Sequence, residues 1–248
     1  MKDRIALVTG GTGGIGTAIC QYLQDLGAIV VASYHNGGSD ERAKKWQQEQ
    51  KKAGYNFLIH YGDVSSFESA GKMVAEIQAE IGAIDILVNC AGITRDSTLK
   101  KMSSNQWDEV LRINLDSVFN VTRHVIESML QKKYGRIVCV SSINGQKGQF
   151  GQANYAAAKA GMHGFTKALA LEVAKHGITV NTVSPGYVDT AMLTKISNEV
   201  LDKIIADIPV GRLAKPNEIA RMVGFLALKD SGFITGANFA VNGGQHMY

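Results

Sequence analysis

Seven short runs rich in β-branched residues punctuate the chain, and their recurrence restricts the fold more than any other feature. They are IALVT (5–9), IVVAS (29–33), FLIHY (57–61), IDILVN (84–89), RIVCVS (136–141), ITVNTVS (178–184) and NFAVNG (238–243). Most lack a polar alternation, as strands buried on both faces do. Helical patterns lie between them: in 66–81, Phe67, Ala70, Met73, Val74, Ile77 and Ile81 recur at three- and four-residue steps and form one apolar stripe. Strand and amphipathic helix alternating along the whole chain predict an α/β fold, a doubly wound parallel sheet with helices on both faces. The expected strand order is 3-2-1-4-5-6-7. With 248 residues, 45% of them hydrophobic, three prolines and no Pro/Gly/Ser linker, a single domain over 1–248 is expected. One stretch breaks the rhythm. Residues 189–215 are polar and helix-like, longer than an ordinary loop, and are expected to form a substrate lid.

Charge and cysteine usage exclude several function classes. The formal net charge is +4, but Lys and Arg are scattered among acids, which argues against nucleic acid and leaves room for a small anionic ligand. Cys20, Cys90 and Cys139 stand far apart in apolar contexts, and this reads as buried free thiols in a reducing cytosol rather than a disulfide framework or zinc site. The six His show no metal-ligand spacing, so no metal is expected. The opening MKDRIALVTGG is wrongly built for a signal peptide, and no apolar run reaches the ~18 residues of a membrane span. A soluble cytoplasmic protein without membrane contact is the expectation.

The first strand runs into TGGTGGIG, with Gly10, Gly14, Ile15 and Gly16 opening an apolar helix. Glycines there allow a tight turn and close approach to a pyrophosphate, and a helix N-terminus supplies unpaired N–H groups. A plain tight turn is the alternative, but the position after strand one and before helix one is that of a Rossmann-type dinucleotide site. At the end of strand two, where an NAD site presents an acid to the ribose 2′-hydroxyl, Ser33, Tyr34 and His35 are not acidic. Arg42 is close enough in sequence to meet a 2′-phosphate, so NADP (NADPH) is favoured; Arg42 as a solvated helix residue is the alternative. Asp63 ends strand three, either to accept from an adenine amino group or to cap the next helix. Asn89 to Gly92, NCAG, follows strand four, either to lie against the cofactor or to make a tight turn.

Tyr155 and Lys159 are four residues apart on an expected helix and share a face. That spacing alone is weak, but the pair follows the carboxyl end of strand five, the ligand-binding edge of open parallel sheets, and Ser142 ends that strand. A hydride arriving at a ketone leaves charge on oxygen, which needs a proton donor and a hydrogen-bonding partner together. Tyr155 is expected to donate the proton, with Lys159 lowering the phenol pKa and reaching the nicotinamide ribose; Ser142 polarises the carbonyl. Asn114 either holds a water linking Lys159 to solvent or bonds to helix backbone.

TGGTGGIG, NCAG, Asn114, Ser142, Tyr155, Lys159 and PGYVDT (185–190) together resemble the short-chain dehydrogenase/reductase family, over essentially the whole chain. The resemblance implies that Pro185, Gly186, Val188 and Thr190 face the cofactor, with Val188 and Thr190 at the nicotinamide carboxamide. Cys90 stands where that family usually has a second Asn. A homotetramer is also implied by the resemblance alone.

Everything between Ser142 and Tyr155 should then border the substrate. Gln149, Phe150 and Gln152 offer amides and an aromatic to a thin acyl chain and its amide-bearing arm, and Tyr187 closes the pocket opposite; packing of Phe150 on a neighbouring subunit is the alternative. The loop, NCAGITRDSTLKKM and the C-terminal NGGQHM resemble the acetoacetyl-CoA-reducing branch of the family, which implies a further substrate residue, Asp96, and an acyl-CoA thioester substrate. The acyl-carrier-protein branch shares the catalytic set but usually carries Arg where this chain has Gly13. A non-catalytic dinucleotide sensor is the reading from another class.

Overall fold

The computed structural model describes residues 1–35, 40–190 and 197–247. Seven parallel strands form one sheet in the order β3-β2-β1-β4-β5-β6-β7, as expected. The strands are β1 (Ile5–Val8), β2 (Ile29–Tyr34), β3 (Leu58–Tyr61), β4 (Ile86–Asn89), β5 (Gly135–Val140), β6 (Ile178–Pro185) and β7 (Asn238–Val241). The helices that matter for the site are α1 (Gly14–Asp25), α2 (Glu41–Lys52), α3 (Phe67–Ile81), α4 (Ser104–Leu111), α5 (Ser117–Lys132), α6 (Asn144–Lys147), α7 (Ala153–Val173), α8 (Asn198–Ala206) and α9 (Pro216–Ala227).

Strand side chains alternate between faces, so one run feeds two cores. Ile5 and Leu7 pack with α3, α5 and α7 residues such as Met73, Val121 and Met162. Ala6 and Val8 pack on the other face with Ile19 and Leu23 of α1 and Val223 and Leu226 of α9. The stripe expected in 66–81 is real: Ser66 caps α3 by accepting from Ser69 N–H, and Ala70, Met73, Val74 and Ile77 are buried. Phe67 is instead exposed and stacks on Phe119.

Three features depart from a plain reading of the sequence pattern. β3 and β7 are only partly buried because they are the sheet's edges. Several strands are shorter than their sequence runs: Phe57 and Ile84 lie just outside and are still buried, and Thr9, also outside, donates its N–H to the Val88 carbonyl of β4 at 2.9 Å. The helix around Asn114 contains a π-helical turn, Arg112–Asp116, between α4 and α5. Such turns concentrate at functional sites.

Candidate active site

The carboxyl ends of the strands meet along one edge. At β1, Gly10 adopts a left-handed φ of 62°, and a Cβ there would stand 2.9 Å from the Ala91 Cα. The glycine turn therefore lies directly on the turn after β4. Thr9 joins them, its hydroxyl accepting from Cys90 N–H at 3.0 Å and Ala91 N–H at 3.1 Å. Gly11 N–H donates to the Ser33 carbonyl at 3.1 Å, bringing the end of β2 alongside. A Cβ on Gly16 would collide with the Gly10 carbonyl oxygen, and one on Gly14 would stand 2.8 Å from Thr190 Cγ2. The N-cap of α1 is Gly13, which has no side chain to cover the first-turn N–H groups, and Ile15 lies in that turn. Small residues thus leave a cradle over a helix N-terminus, bounded by Thr190, and its donors suit a pyrophosphate. Pro185 ends β6, its carbonyl accepting from Ile143 N–H, and Gly186 N–H donates to the Val241 carbonyl. Val188 is buried and bridges to Ala214.

Other cofactor-side expectations fare unevenly. Ser33 and Tyr34 are buried at the end of β2, and the Tyr34 hydroxyl donates to Asp40 at 2.5 Å. Burial first, and then Asp40, push the Tyr34 phenol up to about 12. Arg42 is exposed in the first turn of α2. Asp63 is not the cap of α3; Ser66 is, and Asp63 Oδ1 accepts from Ser65 N–H and Oγ–H. The Asn89 amide points into the core, where it donates to Thr122 at 3.2 Å, so only its backbone faces the site edge. Cys20 and Cys139 are buried free thiols, as expected, whereas Cys90 is free but only half-buried.

The chemical residues come together. Ser142, just beyond β5, lies near enough to Tyr155 on the first turn of α7 to lower its phenol pKa. Lys159, one turn later and 3% exposed, holds its Nζ 5.5 Å from the centre of the Tyr155 ring and donates to the Val140 carbonyl at 2.8 Å. Gly145 allows α6 to lie on α7, since a Cβ there would stand 2.8 Å from the Lys159 carbonyl carbon. Ser141 Oγ donates to the Lys159 carbonyl at 2.8 Å and pairs with His163 Nε2 at the same distance. Asn154 is fully buried and fixes the start of α7 through the Arg95 and Gln106 carbonyls.

Burial governs the electrostatics. It pushes the Tyr155 phenol up to about 12, against the neighbouring Ser142, which lowers it; Cys90 and Asp96 add to the rise. Burial also pulls Lys159 down to about 8, against the Cys90 and Cys139 thiols. Loss of hydration thus opposes the downward pull on the phenol expected of the Lys159 ammonium. Asn114 is fully buried in the π-helical turn, and its amide is largely engaged: Nδ2 donates to Val110 and Ile93 carbonyls, and Oδ1 accepts from Ile93 N–H at 3.2 Å. The helix-backbone alternative describes this side chain. A Cβ on Gly92 would stand 2.6 Å from Asn114 Oδ1 and 3.5 Å from Lys159 Nζ, so glycine keeps a small polar gap between them.

On the substrate side, Asp96 accepts from Gln152, and its charge raises the Tyr187 phenol after burial has done so. Asp96 and Gln152 are therefore paired, with Tyr187 within reach of the Asp96 charge. Gln149 joins them through its carbonyl, which accepts from Gln152 N–H at 3.1 Å, and Phe150 beside it is 86% exposed. Sequence reasoning missed Thr9, Asn144, Gly145 and Asn154, whose partners lie elsewhere in the chain; the only local signal was their place beside quoted motifs.

A parallel sheet with a glycine cradle at β1 and a Ser-Tyr-Lys cluster beyond β5 defines a nicotinamide-dependent oxidoreductase. The chain belongs to the short-chain dehydrogenase/reductase family. A family model described as enoyl-(acyl carrier protein) reductase matches residues 10–246. An acetoacetyl-CoA reductase of Allochromatium vinosum is 55% identical over 245 residues, covering 99% of both chains. That of Cupriavidus necator is 53% identical over 247 residues, covering 100% of both. A 3-oxoacyl-(acyl-carrier-protein) reductase of Salmonella typhimurium is 43% identical, covering 99% of this chain and 98% of its own. Among solved structures, gox2181 superposes with a TM-score of 0.93 at 34% identity, covering 99% of this chain and 96% of its own.

Proposed function

We propose that this chain reduces acetoacetyl-CoA to (R)-3-hydroxybutyryl-CoA with NADPH. The observation that carries the proposal is the gathering of Ser142, Tyr155 and Lys159 beyond β5, with Lys159 Nζ 5.5 Å from the Tyr155 ring centre, at the edge where the glycine cradle also opens. The nicotinamide, when bound, supplies a hydride to the β-carbon of the thioester. Ser142 Oγ accepts from Asn144 N–H at 3.1 Å, which leaves its own proton to polarise the ketone oxygen. Tyr155 delivers the proton, and the Lys159 ammonium stabilises the phenolate that remains. Asn114 enters this reading through Oδ1, which accepts from Ile93 N–H and keeps a second lone pair for a proton-relay water.

NADPH over NADH is supported by the non-acidic end of β2, by Asp40 being engaged with Tyr34, and by Arg42 in the first turn of α2. Asp63 is the adenine-side residue of this reading. The 189–215 stretch serves as a lid: it leaves the cradle at Thr190 and returns at Ala214 beside Val188. Residues 191–196 of the lid lie outside the described residues. A cavity of about 140 Å3, lined by Tyr187, Ile208, Val210 and Asn242, marks its return to β7. The reading includes assembly into a homotetramer in the cytoplasm. Among the described residues no helix is long and apolar enough to cross a membrane, and no cluster of ligating side chains is placed to hold a metal ion.

The test is a comparison of kcat/KM for acetoacetyl-CoA and the corresponding carrier-protein thioester, each with NADPH and NADH, followed by nicotinamide absorbance. The highest value is expected for NADPH with the CoA thioester. A preference for the carrier protein would favour the fatty-acid reductase reading, in line with the 43% relative. Nucleotide binding without turnover of any 3-oxoacyl thioester would leave a non-catalytic sensor.

A further inference from the structure

Between Ser142 and Tyr155 runs a chain of amides that the mechanism leaves unused. Both Asp96 carboxylate oxygens accept from Gln152 Nε2 at 3.0 Å. Gln152 Oε1 accepts from Asn144 Nδ2 at 2.9 Å, and Asn144 N–H donates to Ser142 Oγ at 3.1 Å. Ser97 N–H to the Gly151 carbonyl, 2.8 Å, holds the same two segments in register. Asn144 is 8% exposed, and its Oδ1 is buried without a hydrogen-bond partner among the described residues.

The polarity of this chain is set at one end. A carboxylate only accepts, so Asp96 turns the Gln152 nitrogen toward itself and leaves Oε1 for Asn144. Asn144 must then present its nitrogen, and its oxygen is left over. A buried acceptor without a partner is costly, so the arrangement is not what free optimisation of stability would choose. We propose that Asn144 is a positioning residue for the substrate side: with Asp96 it fixes which way the Gln152 amide faces the thioester arm, and its backbone ties that orientation to the Ser142 hydroxyl. The inference rests on the reading of the chain as a 3-oxoacyl-thioester reductase.

The test is a cycle of Asp96→Asn, Asn144→Asp and the two together. Asn144→Asp sets a second acceptor against Gln152 and competes with Asp96 for one nitrogen. Each single change is expected to raise KM for acetoacetyl-CoA about tenfold, the loss of one or two hydrogen bonds, with NADPH Kd unchanged. In the double variant the charge sits at the other end, Gln152 turns over, and KM returns to within about threefold of the parent. Unchanged KM in Asn144→Asp, or losses that multiply to about a hundredfold in the double variant, would overturn the proposal. Should the buried carboxylate prevent folding, Asn144→Ala combined with Gln152→Ala replaces it; coupled losses support the relay and independent ones refute it. A parent enzyme inactive on acetoacetyl-CoA would instead refute the substrate reading, so the two failures are separable.

Discussion

At the scale of single residues, Tyr155 bears the largest share of the chemistry. Tyr155→Phe keeps the ring and removes only the proton donor, so kcat is expected to fall by about 10²- to 10⁴-fold while NADPH binding, measured by fluorescence, stays as it was. Lys159 gives a pH signature whose sign follows from its shift. Burial holds it near 8, and Tyr155 near 12, so as pH rises the ammonium is lost first while the phenol keeps its proton. The kcat/KM for reduction should therefore decline through about pH 8, and a decline beginning only near 10 would assign the titration to another group. Tyr155 and Lys159 were legible because they are neighbours in sequence as well as in space. Thr9 was not, because its partners Cys90 and Ala91 lie 81 and 82 residues away, and nothing in VTGG announces them. The hydrogen-bond partners of Asn114 and Asp63 were not legible for the same reason: what each bonds to depends on backbone geometry that a residue type does not specify.

Strands and helices were readable from hydrophobic pattern, since buried parallel strands and amphipathic helices carry different periods. Their ends were not, because Phe57 and Ile84 are as buried outside the ladder as their neighbours are within it. The π-helical turn at Arg112–Asp116 has no pattern of its own, being a local rearrangement of one helix. Two expected outcomes belong to this scale. Gly14→Ala puts a methyl 2.8 Å from Thr190 Cγ2, which is expected to raise NADPH Kd about tenfold, measured by titration, while the melting transition is little altered. Leu7→Ala opens a void in the core shared by β1 and α3, and denaturant unfolding should show a loss of ~2–5 kcal/mol.

For the molecule as a whole, the two cores lie on opposite faces of one continuous sheet, so unfolding should be a single transition rather than two. NADPH at a hundred times its Kd should stabilise the folded chain by about 2.7 kcal/mol, and NADH at the same concentration by less, which calorimetry can read without any substrate. The order of the strands was legible because an alternating parallel architecture has few right-handed, unknotted solutions. The loop tip was not, since residue order alone does not say what an exposed side chain such as Phe150 meets.

The hydrogen bond from Gly186 to Val241 joins the segment beside the cradle to almost the last residues of the chain. A polypeptide emerging from the ribosome can lay down the glycine turn, Ser142, Tyr155 and Lys159 and still lack the final strand that anchors PGYVDT. Competence thus arrives late and all at once: a nascent or clipped chain ending before residue 238 carries every reactive group and no assembled place to use them.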